Sequence, residues 1–533
     1  MKLLYHGGIL STETTTPTTR SWLGLIAVSL GVALIVVDLT IVNVIVAPII
    51  DDLSITSTEA QWIQESYAIV FAALLLLTGR LADLWGARRL FLLGLAVFGV
   101  TSLLAAAAPN GELLIMARFL QGIGGAMILP TSLALVNATF TGQDRSRAFA
   151  VWGSTIGAAA AVGPLLGGWL AGFSWRWAFG INIPLVILIA VGALAYLPTT
   201  PRGRGGVDAI GAVLSALGLG LLAFGLIEGR SYGWFATTEP LRIAGFTWDS
   251  GPSPVLVAFA LAAAALVACW RRQDALARAG AEPLLDTGLF RIGSFRKGNI
   301  VTLVVGIGEF GIIAVLPLWL QFTLDYSAVQ AGLALVPLAV GSFCASGASF
   351  SLTASVSALG QVRIGLALEA VGLTLLGLCA AADSAWWPIA VALFVYGVGV
   401  GFATAQVTNV VLTEVPADRA GQASGVQSAA RELGSALGIA VVTTVFFTAL
   451  DTGLRDRLAP GQDGLATAVT DSAGSMIPAL ATDPGTAATA VAAREAMTSG
   501  LGIAAYLCAA LLALSLVSTA LLPTANKPAN TVA

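Results

Sequence analysis

Charge is what this 533-residue chain has least of: Asp, Glu, Lys and Arg make up 10% of it, against 57% hydrophobic residues. Soluble domains carry about 25% charged residues, so this chain cannot cover a globular surface with charge. Its mean hydropathy of +0.88 points the same way. Lysine is scarce, with 3 residues beside 23 arginines, and no basic cluster stands out, which argues against a nucleic-acid partner. The single histidine, His6, lies in a polar N-terminal stretch, so a histidine proton relay or a His-ligated metal is excluded. Four cysteines (Cys269, Cys344, Cys379 and Cys508) are scattered through apolar stretches without metal or redox spacing. No metal and no cofactor is expected. The chain also lacks the HExxH and GxSxG signatures of common hydrolases and the Walker A loop of nucleotide-driven pumps. Gly306 to Gly311 fits GxGxxG, but it lies in an apolar run with no strand before it and is read as membrane helix.

What the chain does have is apolar runs of about 20 residues from end to end, the length that crosses a hydrocarbon core of ~30 Å. A transmembrane β-barrel would show alternating segments of about 10 residues instead. Fourteen runs are counted, the first at 22–49, the thirteenth at 432–450 and the last at 500–522. An even count places both termini on one side. Most of the 26 Lys and Arg then fall in loops on that side, which the positive-inside rule makes cytoplasmic. Residues 1–20 are Thr-rich and polar, and the first run is too long for a cleavable h-region. The expectation is an all-α polytopic protein of a bacterial plasma membrane. Its segments are a cytoplasmic tail at 1–21, a six-helix bundle at 22–200, and two inserted helices with a charged linker at 201–298. A second six-helix bundle follows at 299–522, with an extracellular loop at 451–499, and then a tail at 523–533. The abundance of Arg, Ala and Gly hints at a GC-rich bacterial genome.

Short polar breaks carry the chemistry. Gly79-Arg80-Leu81-Ala82-Asp83-Leu84-Trp85-Gly86-Ala87-Arg88-Arg89-Leu90 puts an acid and paired arginines into a tight turn between the second and third runs. Arg118, inside the fourth run, costs a few kcal/mol or more if unpaired. It either pairs with Asp38 of the first run or snorkels to the outer interface. Gly163-Pro164-Leu165-Leu166-Gly167-Gly168 combines a lost helix hydrogen bond with room for close backbone approach.

Taken together these stretches resemble the major facilitator superfamily, and within it the fourteen-span drug:proton antiporters of the EmrB/QacA type. The 79–90 turn resembles the family's loop between spans 2 and 3, with Ala87 in place of the first basic residue. By that resemblance Gly79, Asp83, Gly86 and Arg88 would form a gate that latches the cytoplasmic side. Arg118 to Gly125 resembles the family's second motif. Gly163, Pro164, Gly167 and Gly168 resemble its antiporter motif; a kinked packing helix of no particular direction is the plainer reading. Asp38-Leu39-Thr40-Ile41-Val42-Asn43-Val44 resembles the signature of the antiporter branch, with Ala47 where the proline is usual and Pro48 next. Trp175-Arg176-Trp177 with Asn182 and Pro184, Leu289-Phe290-Arg291 and Arg431-Glu432-Leu433-Gly434 extend the match over roughly 20–450.

Intramembrane acids decide the mechanism expected. Asp38, Glu65, Glu309 and Glu369 fall within spans, with Arg118 as the one intramembrane base. Burial lets such acids take up and release protons near neutral pH. Asp38, Glu309 and Arg118 are the expected proton-coupling residues, and Asp38, Glu65, Glu309, Tyr67, Phe310 and Trp319 the expected substrate contacts. Glu65 fits equally a second proton site, a contact at the mouth, or a solvated rim acid. Glu369 reads as an exposed acid near the cytoplasmic end, and Glu228 and Glu414 as solvated span ends. The aromatic set, with Trp152 and Phe402, is equally consistent with packing. The whole points to a monomeric proton-coupled exporter of amphipathic, often cationic, small molecules, embedded in lipid. Two alternatives remain: a dedicated exporter of an endogenous antibiotic or siderophore, and a membrane enzyme or lipid-handling protein on the same scaffold.

Overall fold

A computed structural model describes residues 18–55, 57–200, 206–243, 246–458 and 462–519; the expected end tails, with His6, fall almost wholly outside them. The helices in chain order are α1 (Thr19–Leu53), α2 (Ser57–Trp85), α3 (Ala87–Ala106), α4 (Gly111–Thr139), α5 (Gly142–Ala171), α6 (Arg176–Gly180), α7 (Asn182–Tyr196) and α8 (Ala209–Tyr232). A two-stranded antiparallel hairpin, β1 (Leu241–Ile243) and β2 (Phe246–Trp248), separates α8 from α9 (Pro254–Arg278). Then come α10 (Gly293–Phe322), α11 (Ala328–Ala334), α12 (Val336–Leu352), α13 (Ala358–Cys379), α14 (Trp386–Leu412), α15 (Ala420–Arg455), α16 (Asp463–Asp471), α17 (Ile477–Thr482) and α18 (Ala487–Ser518). Among the described residues thirteen helical segments are long and apolar enough to cross a membrane. The remaining expected span falls on the 30-residue α5, packed against α1, α12 and α14. Helix is the only open-chain solution here, because lipid offers no partner for backbone N–H and C=O groups.

Two helical bundles result. Val32, Phe91, Phe98, Phe149, Trp152 and Ile189 share one core, drawn mainly from α1–α5 and α7. Ile312, Leu366, Leu393, Phe446 and Leu501 share another, drawn from α10–α15 and α18. The first core also takes in Leu289, Phe295, Leu412 and Ala423, so the bundles are sealed together at one end by apolar contact. The inserted helices α8 and α9 pack on each other, and α8 lies along α2.

Helix ends depart from the apolar runs. Span 6 is split into α6 and α7 at Ile181, and span 10 into α11 and α12 ahead of Pro337. The thirteenth span, expected from 432, starts at Ala420, and the last, expected from 500, starts at Ala487. The stretch 451–499 is therefore largely helical, and Ala466, Val469 and Ile477 of α16 and α17 are buried in the second core. Hydropathy marks where lipid ends. Helix continues past that point where Ala, Ser and Gly pack against protein.

Candidate functional site

Asp38 sits midway along α1 and is fully buried. Arg118 Nη1 of α4 donates to its Oδ2, while Gln121 Nε2 and Asn182 Nδ2 each donate to its Oδ1 at 2.9 Å. Arg118 is held in turn by the carbonyls of Gln121 (side chain, 2.8 Å) and Ile63 (3.1 Å), with the Tyr67 ring 4.5 Å from its guanidinium. Ser102 accepts from Gln121 at 2.9 Å and from Asn182 at 3.3 Å. The network joins α1, α2, α3, α4 and α7, and the two charges cancel inside it. Removing either partner of such a pair leaves an uncompensated buried charge, at a cost of about 3–5 kcal/mol. Arg118 therefore does not snorkel. Tyr67 lies wholly buried beneath it rather than on an open face.

The glycine-rich stretch of α5 lies against α1 just beyond Asp38. A Cβ on Gly163 would strike the Thr40 side chain, and one on Gly167 would meet Ile41 Cγ1 at 2.9 Å and the Ile41 carbonyl at 3.1 Å. Gly168 has only Val329 Cγ2 nearby, at 3.7 Å. The side chain of Pro164 is not among those described.

The second bundle holds a matching pair. Arg431 Nη2 of α15 reaches both carboxylate oxygens of Glu309 on α10, at 3.2 and 3.1 Å, and the Phe310 ring lies 5.8 Å from its guanidinium. Arg118 is thus not the sole intramembrane base. Arg431 is 7% exposed, well inside a helix that begins at Ala420, and a span drawn from 432 leaves it out. Glu369 of α13, expected as an exposed acid, is 0% exposed, and neither of its carboxylate oxygens has a hydrogen-bond partner among the described residues. Glu228, expected to be solvated, is buried on α8 and hydrogen-bonded to Glu65 of α2 and to Ser231. Glu414 is exposed, as its span-end position implies. Trp319 is a core residue of the second bundle, its indole N–H donating to Thr498 at 3.0 Å, and does not face an open passage. Trp152 is likewise buried and bonded to Ser132 at 3.1 Å.

On the predicted cytoplasmic side, Asp83 spans the two bundles. Its carboxylate accepts from the backbone N–H of Gly421 at 2.6 Å and of Gln422 at 2.9 Å, in the first turn of α15. Free amides and the helix dipole make that end an anion site. The approach depends on glycine: a Cβ on Gly79 would meet the Gly421 carbonyl at 2.6 Å and Gly425 Cα at 2.9 Å. Gly86 turns the chain into α3 with φ +89°, a conformation that side chains resist. Arg88 points elsewhere. Its backbone N–H donates to Thr200 at 3.2 Å and its guanidinium to the Leu194 carbonyl at 2.6 Å, both within the first bundle. The basic residue that reaches outward is Arg80, paired with Glu282 of the linker at 2.7 Å. Four residues on, Asp286 pairs with Arg419, and its N–H donates to the Gln422 side chain at 2.8 Å. A second cross-bundle contact joins α5 to α14: Arg145 donates to Asn409 at 3.1 Å and to Thr413 at 3.0 Å, and Asn409 donates to Ser146. The bundles are closed at this end.

The Major Facilitator Superfamily sequence profile matches residues 28–439. The chain is 34% identical over 447 residues to the "Probable actinorhodin transporter" of Streptomyces coelicolor, covering 81% of this chain and 73% of that protein. It is 32% identical over 513 residues to the "Multidrug efflux pump LfrA" of Mycolicibacterium smegmatis, covering 94% and 95%. In fold it is similar to the crystal structure of the human organic anion transporter MFSD10 (TETRAN), with a TM-score of 0.59 at 15% identity over 93% of this chain and 100% of that one.

Proposed function

We propose, because the chain belongs to the Major Facilitator Superfamily, that it is a proton-coupled antiporter exporting amphipathic, often cationic, drugs or other toxic small molecules across the bacterial plasma membrane by alternating access. Membership makes it a membrane transporter rather than an enzyme, which removes the enzyme alternative. The observation that carries the rest is the buried, charge-balanced network around Asp38. A proton added to Asp38 removes the counter-ion of Arg118 and breaks a network built from five helices, so a local titration becomes a helix movement. Gly163 and Gly167 place the α1–α5 crossing beside it, where movement of α1 is passed to α5 and so to the second bundle.

Glu309 with Arg431 is the corresponding pair across the interface. In this reading both termini are cytoplasmic, and Asp83 on the end of α15 holds the cytoplasmic side shut with cargo and protons exchanged outside. One proton moving through ~100 mV supplies about 2.3 kcal/mol. The unit is a monomer in lipid. A second reading, a dedicated exporter of an antibiotic made by the same cell, is supported by the likeness to a protein named as an actinorhodin transporter.

Dye efflux in everted vesicles with an imposed or collapsed proton gradient tests the proposal. Asp38→Asn should abolish gradient-driven efflux. A fully active variant, or efflux by the parent that ignores the gradient, would overturn the assignment.

A further inference from the structure

We propose that Glu369 is a proton-binding site of the second bundle, loaded in this cytoplasm-closed conformation and emptied when Arg431 leaves Glu309 to pair with it. The inference rests on the proton-coupled reading above. Glu369 lies midway along α13, fully buried, with neither carboxylate oxygen bonded to a donor among the described residues. A bare ionised carboxylate in such a place is far costlier than a neutral acid, so Glu369 is held as the acid. The fold makes space for it. A Cβ on Gly399 of α14 would strike the backbone N of Glu369 and meet its Cγ at 2.7 Å.

The groups that face it are few. Glu309 and Arg431 are the charges that bear on it, from α10 and α15. Tyr396 on α14 is committed to the carbonyls of Gly308 at 3.1 Å and Glu309 at 3.2 Å. Cys508 of α18 is a buried thiol beside Tyr396, and Glu432, next to Arg431, is half-buried. Two acids therefore compete for one guanidinium. While Glu309 holds Arg431, Glu369 must keep its proton. When Arg431 shifts, Glu369 releases that proton and Glu309 is left ionised without its counter-ion, so this pair of acids binds one proton fewer after the helices move. The helices that carry the pair, α10 and α15, cross closely at Gly306, where a Cβ would meet the Arg431 carbonyl at 2.8 Å.

The test uses the purified full-length protein. Infrared spectroscopy at neutral pH should show the carbonyl stretch of a protonated carboxyl that is lost in Glu369→Gln, and no such loss would overturn the assignment. Spin labels at the cytoplasmic ends of α2 and α15 then report the closed fraction against pH. The parent should change with pH, Glu369→Gln should lose that part of the response, and Glu369→Asp should restore it at a shifted midpoint. Gln matches the neutral acid in shape, so a merely structural role predicts an unchanged pH profile. A parent that responds while Glu369→Gln responds identically sinks this site alone. A parent with no pH response sinks the proton-coupled reading with it.

Discussion

Replacing Asp83 by Asn isolates the clasp between the end of α2 and the start of α15. The carboxylate takes two N–H groups, from Gly421 and Gln422, at the positive end of α15. Hydrogen bonds to a charged group contribute about 1.5–3 kcal/mol each, and a charge at a helix N-terminus about 0.3–1 kcal/mol more. Asn keeps one carbonyl, so one bond survives in neutral form while the other and the charge are lost. The net weakening is about 2–3 kcal/mol, partly offset by water at a half-open site. At 1.36 kcal/mol per tenfold, the closed-to-open ratio should fall roughly 30- to 150-fold. Distances between spin labels near Trp85 at the end of α2 and near Ala420 at the start of α15 read that ratio directly. Arg88→Ala is the internal control, because among the described residues Arg88 bonds within the first bundle. It should cost thermal stability and leave the ratio unchanged. A shift below about threefold for Asp83→Asn, or an equal shift for Arg88→Ala, would refute the argument that the helix-end contact, rather than charge near the turn, holds the side shut.

Within the α5 glycine stretch, Gly163→Ala should destabilise by about 1–3 kcal/mol through overpacking on Thr40 and lose transport. Gly168→Ala, with its nearest neighbour at 3.7 Å, should match the parent in melting and efflux; equal effects would deny the α1–α5 crossing its role. At the opposite end of the bundles Asp52 accepts from Arg176 and, at 3.0 Å, from Trp175, and these bonds hold its carboxyl below the usual carboxylate range. A lowered folded-state pKa stabilises above the unfolded value and is lost as pH falls through the folded one. The melting difference between parent and Asp52→Asn should therefore stay constant from about pH 5 to 8 and vanish only in stronger acid, below about pH 4. A difference that changes around pH 6 to 7 would contradict it.

Span count and bundle order were legible because hydropathy over twenty residues is a strong signal. The meeting of Asp38 and Arg118 was legible for a different reason: a lone buried base demands an acid. Gln121, Asn182 and Ser102 were not, since neutral amides and hydroxyls on three helices leave no periodic trace. Arg431 was missed because the apolar run begins after it, while the helix begins at Ala420. Glu369 and Glu228 were judged by distance from a span end. Their burial is set by which helix face they occupy, and for Glu369 by the room Gly399 leaves on the neighbouring helix. Arg88 and Asp83 are neighbours in the motif, yet a turn through Gly86 sends them to different bundles.

The chain between α9 and α10 holds Arg80 through Glu282 and Arg419 with Gln422 through Asp286. The connector is thus bonded to both bodies it joins, and every opening must peel it from one of them. Among the described residues, none of its side-chain hydrogen bonds or ion pairs reaches Asp38, Arg118, Glu309 or Arg431. Substitutions there can change how fast the protein cycles while leaving what it accepts untouched, so turnover and cargo range are free to evolve on separate parts of one chain.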